Sequence, residues 1–255
     1  MTLQAIIFDV DGTLAETEEE HRRAFNETFG SFGLDWHWDR RLYAELLRVT
    51  GGKERIRDYV SRHRPAEAGR VEPIVGEIHR AKTDRYVSNL AADGIALRPG
   101  VARLIREAAD AGLRLAIATT TSLPNVKILL KQALGPDALG LFEVIAAGDM
   151  VEAKKPAPDV YLLALDRLGL PGQACVAIED SYNGVMAARR AGIPTLATTS
   201  DYTRFEDLRY AMGVLSDLGE PDAPFLHLGG IGAGERCVTV EMLRRYGRST
   251  TLSAG

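Results

Sequence analysis

The sequence predicts a doubly wound α/β core that carries an inserted set of helices. Three observations predict it: short apolar runs alternating with helical patterns, glycines standing where helices must stop, and one long stretch without any strand. Leu3–Phe8 is an apolar run that ends abruptly at Asp9. A run this short, bounded by polar residues and Gly12, suits a strand buried on both faces of a parallel sheet. Leu113–Ala118, Val144–Ala147, Cys175–Ile178 and Thr195–Ala197 repeat the pattern. Helical spacing fills the intervals at Val101–Ala111, Leu123–Leu134, Asp159–Leu168 and Tyr182–Ala191, and Gly112, Gly169 and Gly192 follow three of these as C-caps. Strand alternating with helix puts a ligand crevice at the carboxyl ends of the strands.

Between about Glu16 and Ala92 no strand-like run occurs, and polar–apolar periodicity suggests four helices or so. The expected division is a Rossmann-like core of residues 1–15 and 93–255 and an all-α cap of residues 16–92, hinged near Ala15–Thr17 and Ala92–Pro99. The cap carries 14 basic and 14 acidic residues, which leaves the net charge of −4 on the core. A neutral cap over an acidic core fits a cap that shares an anionic ligand, and it equally fits surface ion pairs. From Glu220 onward the chain is rich in Gly and Pro before a last helix at Thr239–Tyr246. Gly230, Gly232 and Gly234 do not follow a strand and make no phosphate-loop pattern, so this segment reads as a linker.

Bulk properties narrow the function. The chain has 255 residues, 45% of them hydrophobic and 26% charged, the proportions of an ordinary globular protein. So mild a net charge gives no reason to expect a nucleic-acid or membrane-surface binder. Two distant cysteines make no disulfide framework, and no apolar run approaches the length of a membrane span. With no basic leader at MTLQAIIFDVDG, a cytoplasmic protein is expected.

Four segments carry chemistry. Asp9 and Asp11 in FDVDGTL leave the end of the first strand together, and Gly12 permits the tight loop that turns both into one crevice. A plain turn with two surface aspartates is the alternative. Thr119, Thr120 and Thr121 end the second core strand just before a helix, where hydroxyls and helix N-terminal amides hold anions. Lys154–Lys155–Pro156 follows the third strand and Glu179–Asp180 ends the fourth. Each alone has a structural explanation (a helix cap, a solvated face, a turn). Acids, hydroxyls, lysine and acids at successive strand ends make coincidence a poor account.

FDVDGTL, AIATTTS, KKPAPD and IEDSYNG resemble, in order and spacing, the four motifs of the phosphatase and phosphomutase branch of the haloacid dehalogenase superfamily. The helical insert resembles the C1-type cap of phosphoglycolate phosphatases and β-phosphoglucomutases. DGTLAETEEEHRRAFN, TGGKERI, IHRAKT, ATTTSLPNV, AAGDMV and KKPAPDVY together are most similar to the CbbY group, phosphatases of xylulose 1,5-bisphosphate, which would imply a carbon-fixation context. The resemblance implies that Asp9 attacks phosphorus and that Asp11 exchanges protons with the leaving oxygen and the attacking water. It implies Thr119, Thr120 and Lys155 as the phosphate clamp. Asp9, the Asp11 carbonyl, Glu179 and Asp180 are the implied ligands of Mg²⁺, a cation suited to hard oxygen donors. Thr13 would fix the loop, and Ser181 and Asn183 would orient Asp180 and Lys155. For Asp11 to act as an acid its pKa must be raised, which cap closure favours and the cations oppose.

The cap would set specificity. Thr17 and His21 lie four apart on one helix face, beside Glu18, at positions similar to β-phosphoglucomutase cap residues. Gly51, Gly52 and Lys53 read as a loop opening a helix, with Arg55 following. With Arg80 and Lys82 they would hold a second, non-reacting phosphate, and Tyr43 would line the same space, although as a helical aromatic it also suits a core. Trp36 and Trp38 should pack the cap. The expected partner is a small phosphosugar met by a monomer. Rival readings are a β-phosphoglucomutase, a 2-phosphoglycolate phosphatase, and a catalytically silent binding module. Thr121–Ser122 stands where mutases carry a serine–lysine pair, which favours hydrolysis, and intact Asp9, Asp11, Lys155 and Asp180 argue against silence.

Overall fold

The computed structural model of the chain describes residues 2–249. Its centre is a sheet built from β1 (Ala5–Phe8), β2 (Arg114–Ala118), β3 (Val144–Ala146), β4 (Cys175–Glu179), β5 (Thr195–Thr198), β6 (Gly213–Leu215) and β7 (His227–Gly230), in the order β3-β2-β1-β4-β5-β6-β7. Every pair is parallel except β6–β7. The strand order reverses beside β1, so the crevice between β1 and its neighbours opens above Asp9. The central strands are uniformly apolar because helices cover both faces. On one face α6 (Val101–Asp110), α7 (Leu123–Leu134) and α10 (Val240–Ser249) pack over Ile6, Phe8, Leu115 and Ile117. On the other, α8 (Asp159–Leu168) and α9 (Tyr182–Arg190) cover Ala5, Ile7, Ala116 and Ala177.

The five strands read from the apolar runs are present within one or two residues at each end. Gly112, Gly169 and Gly192 take positive φ where three helices stop. The tail differs from the sequence expectation. It is no linker: His227–Gly230 pairs antiparallel with β6, and Phe225, Val238, Val240, Met242 and Leu243 are buried in the core. The pairing is backbone-driven, so its exposed, glycine-rich sequence gave no period-2 signal.

Between β1 and α6 the chain runs through α1 (Glu18–Ser31), α2 (Arg40–Leu46), α3 (Gly52–His63), α4 (Ala68–Val71) and α5 (Val75–Asp93). These helices enclose their own apolar cluster around Phe25, Phe29, Trp36, Trp38, Tyr59 and Ile78. Trp38 meets Phe25, Phe29 and Tyr59 at ring separations of 4.7, 4.8 and 5.3 Å. Aromatic pairing of this kind adds to simple area burial.

Candidate active site

β1 delivers Asp9 and Asp11 to the mouth of the crevice. Gly12 takes φ +79°, and a side chain there would place Cβ 2.2 Å from Asp180 Oδ2, so only glycine lets the two acidic loops approach. Lys155 comes from the loop after β3 and is buried. Its Nζ donates to Asp9 Oδ1 at 2.6 Å, Glu179 Oε1 at 2.6 Å and the Ala118 carbonyl at 2.9 Å. Tyr161 on α8 donates to the same Glu179 oxygen at 2.7 Å. Burial alone would lower the Lys155 pKa, but Asp9 and Glu179 outweigh it and hold the ammonium charged.

Asp9, Glu179 and Asp180 bring one oxygen each within 4.8 Å of one another, all buried. Burial pushes Asp9 up to about 8 against the pull of Lys155, with Glu179 adding to the rise. Burial, then Asp9 and Glu179, raise Asp180 well above the usual range. Ionising all three carboxylates beside one lysine would leave two negative charges uncompensated, which a divalent cation would balance. The donors are hard oxygens, so the residues present fit Mg²⁺. The Asp11 side chain is turned away from this group toward Thr17 and His21.

Asp11 points at the helical insert. Thr17 Oγ1 donates to Asp11 Oδ1 at 2.6 Å and His21 Nε2 lies 3.0 Å from the same oxygen. His21 Nδ1 is 2.6 Å from Lys82 Nζ, and the imidazole stacks on Tyr86 at 4.1 Å. Lys82 is buried against Phe25 and Tyr86, 4.8 and 5.2 Å from their ring centroids. Burial lowers Lys82 to about 7, with Asp11 opposing. Burial would raise Asp11, but the charge and hydrogen bond of His21, then Thr17 and Lys82, prevail and bring it to about 2. Asp11 is therefore held ionised here, the opposite of what proton donation alone would ask.

One cavity joins the two halves. From the core its wall takes Asp9, Asp11, Thr120, Lys155 and Asp180, and from the insert Glu18, His21, Gly51, Gly52, Arg55 and Lys82. Thr17, Tyr43, Lys53, Arg80 and Thr119 do not line it, whereas Ser181 and Asn183 do. Thr119 is buried just behind the wall, its hydroxyl accepting from the Thr121 amide at 3.2 Å. Thr17 touches Asp11 but not the cavity. Tyr43 belongs to the insert's core, its hydroxyl taking a hydrogen bond from Arg55 at 3.0 Å and donating to Glu18 at 2.8 Å. Lys53 and Arg80 are exposed and off the cavity wall. Each stands two residues, about 200° of helix, from the residue that does face inward, Arg55 or Lys82. Nor do Ser181 and Asn183 orient Asp180 and Lys155. Ser181 caps α9 through the Gly184 amide, and Asn183 crosses to the insert, donating to the Arg48 carbonyl at 3.1 Å and Thr50 Oγ1 at 3.0 Å. Ser200 and Thr203 reach Asp180 instead, and the hydroxyl of Thr13 makes no hydrogen bond.

Sequence reasoning named Ser122 beside the threonines but missed several other wall residues, among them His79, Asn125, Tyr202, Thr203 and Glu206. His79 borders the cavity, and burial, then the charge of Lys82, lower it to about 3, so it stays neutral. Ser122 and Asn125 border it too, and Ser122 Oγ and Asn125 Oδ1 are buried without a protein partner. The orphaned atoms give the cavity polar groups that a ligand can satisfy. No local pattern marks such residues, because what qualifies them is the direction of a helix face.

Residues 3–192 match the haloacid dehalogenase-like hydrolase family. The chain is 54% identical over 219 residues to protein CbbY of Cereibacter sphaeroides, covering 86% of this chain and 94% of that one. It is 48% identical to the plasmid-borne protein CbbY of Cupriavidus necator over 255 residues, 99% of this chain and 100% of the other. Crystal structures of CbbY from Rhodobacter sphaeroides, one with phosphate and one of a variant with xylulose 1,5-bisphosphate, superpose with a TM-score of 0.79 at 52% identity, covering 84% of this chain and 94% of theirs.

Proposed function

This chain belongs to the haloacid dehalogenase-like hydrolases, and from that premise we propose that it is a Mg²⁺-dependent sugar-bisphosphate phosphatase converting xylulose 1,5-bisphosphate to xylulose 5-phosphate. The observation that carries the reading is a single cavity with a cationic group at each end. Lys155 stands beside the Asp9 carboxylate at the core end, and Arg55, Lys82 and the N-terminus of α3 stand at the insert end. A substrate with two phosphates uses both, and the relative's complex with this sugar supports the choice.

Lys155 occupies Asp9 Oδ1, which leaves Oδ2 for attack. Asp9 forms a bond to phosphorus as the phosphorus–oxygen bond to the sugar breaks, giving an aspartyl phosphate. Thr120 and the amides before α7 hold the non-bridging oxygens, and Lys155 offsets their charge. A divalent cation on Asp9, Asp180, Glu179 and the Asp11 carbonyl would neutralise the cluster so that a phosphate dianion can enter. Asp11 supplies the proton that the leaving sugar oxygen needs, then takes one from the water that hydrolyses the aspartyl phosphate. Held ionised by His21 and Thr17, it is ready for the second half-reaction. The first half requires a proton on Asp11, which substrate charge entering the closed site would favour.

At the insert end Arg55, fixed by the Leu46 carbonyl at 3.3 Å and Tyr43, meets the second phosphate together with the Gly51–Gly52 turn. Two backbone amides at a helix start form an anion site. Binding there holds the insert closed over the reacting phosphate, so remote binding energy serves the chemical step. The test is phosphate release with Mg²⁺ from xylulose 1,5-bisphosphate, ribulose 1,5-bisphosphate, fructose 1,6-bisphosphate, β-glucose 1-phosphate and 2-phosphoglycolate, with Asp9→Asn as blank. The reading requires the xylulose compound to lead by orders of magnitude in kcat/KM. Conversion of β-glucose 1-phosphate to glucose 6-phosphate with little phosphate release would instead make the protein a mutase.

A further inference from the structure

The loop after β5 touches two parts of the molecule at once. Ser200 Oγ donates to Asp180 Oδ2 at 2.7 Å, and Thr203 Oγ1 lies 3.3 Å from the same oxygen. The two residues close a turn on each other: Thr203 Oγ1 accepts from the Ser200 amide at 2.9 Å, and the Thr203 amide donates to the Ser200 carbonyl at 3.2 Å. Between them Tyr202 faces the other way. Its hydroxyl donates to Glu19 on α1, and its ring meets Tyr43 edge-on at 5.8 Å. Arg40 of α2 pairs with the same Glu19 at 3.0 Å and lies 6.0 Å from the Tyr202 ring centroid. One short turn therefore grips a buried acid of the core and two helices of the insert.

From this juxtaposition we infer that Tyr202 is a positioning residue that couples seating of the helical insert to the orientation of Asp180, so that divalent-cation binding and insert seating assist each other. The inference rests on the proposed role of Asp180 in holding the cation. With the insert seated, Glu19, Arg40 and Tyr43 fix Tyr202, the turn is rigid, and Ser200 and Thr203 fix the Asp180 carboxylate beside Asp9 and Glu179. With the insert away, Tyr202 loses all three partners and the turn relaxes. Linkage requires the reverse effect as well: whatever fixes Asp180 favours the seated insert by the same factor. Burial, then the bond to Glu19, raise the Tyr202 hydroxyl to about 12, so it remains a donor at any working pH. Asn183 and Asp11 also bridge core and insert, but Asn183 meets no acid of the cluster and Asp11 turns its carboxylate from it.

The test is the affinity of the full-length protein for Mn²⁺ alone, measured without substrate by electron paramagnetic resonance. Tyr202→Phe removes the hydroxyl and keeps the ring. Glu19→Ala removes the acceptor from a residue with no contact to Asp180. Ser200→Ala removes a direct partner of Asp180 and sets the scale. Each of the first two should weaken Mn²⁺ binding about threefold to tenfold, as the loss of one hydrogen bond would. Their combination should cost no more than the larger single effect, because both cut the same link. Wild-type affinity in Tyr202→Phe and Glu19→Ala while Ser200→Ala binds weakly overturns the coupling, and so does simple additivity. Failure of the wild type to bind Mn²⁺ overturns both the coupling and the cation site beneath it, whereas a wrong sugar assignment leaves every one of these affinities unchanged.

Discussion

Arg98 sits on the segment returning from the insert to the core, yet it is only 8% exposed. Its guanidinium donates to the carbonyls of Gly12 and Thr199, to the Ser216 carbonyl at 2.7 Å and to Thr198 Oγ1 at 3.1 Å. It ties the loop that carries Asp11 to the ends of β5 and β6. Arg98→Met keeps most of the apolar stem and deletes every donor. A net loss of about 1–2 kcal/mol at the buried Gly12 carbonyl and about 1 kcal/mol at each of the part-buried Thr199 and Ser216 carbonyls gives about 3–4 kcal/mol in all. The ion pair with Glu16 at 3.1 Å adds little to that figure, since the Glu16 side chain is 42% exposed. Arg98→Lys should recover only a minor part, because one ammonium cannot span acceptors that a planar fork reaches together. Urea unfolding followed by far-ultraviolet circular dichroism measures both variants. A loss under about 1 kcal/mol in Arg98→Met would refute the reasoning, as would full rescue by lysine.

Other expectations follow from single contacts. Asp11→Asn should lower turnover by about 10²–10⁴-fold while leaving substrate binding intact, as steady-state kinetics and equilibrium dialysis will show. Gly148→Ala would place a methyl group 2.0 Å from the Thr120 carbonyl oxygen, so the backbone of the loop after β2 must move. That variant should lose about 1–3 kcal/mol of stability and bind inorganic phosphate more weakly, read by urea unfolding and calorimetry. Burial lowers Lys82 to about 7 in the folded protein from its ordinary 10.5, so the unfolded chain binds more protons between those pH values and this group makes stability rise with pH there. Lys82→Met should remove that rise, visible as a flatter urea midpoint between pH 7.5 and about 9.5.

The core was legible because each of its strands is buried on both faces and so writes an unbroken apolar run, from AIIF to CVAIE. Asp9 and Asp180 follow directly on β1 and β4, and a strand end fixes where the next residue goes. The insert was harder. A helix shows its period but not which neighbour it meets, so the sequence does not separate Lys82, which lines the cavity, from Arg80, which does not. Contacts that bridge distant segments leave no local trace. Ser200 and Thr203 lie 20 and 23 residues from the Asp180 they hold, and Arg98 lies 86 residues from Gly12. β7 escaped notice because its order comes from pairing with β6 and not from side-chain pattern.

The most direct test of the account is the chemical state of Asp9 during turnover. Wild-type protein mixed with xylulose 1,5-bisphosphate and Mg²⁺, quenched in acid within the first turnover and digested, should yield a peptide containing Asp9 that carries one phosphoryl group. The same peptide from Asp9→Asn should carry none. Full turnover with a phosphoryl group on another residue, or with no covalent phosphate at any time in the first turnover, would contradict the central claim that Asp9 is the nucleophile.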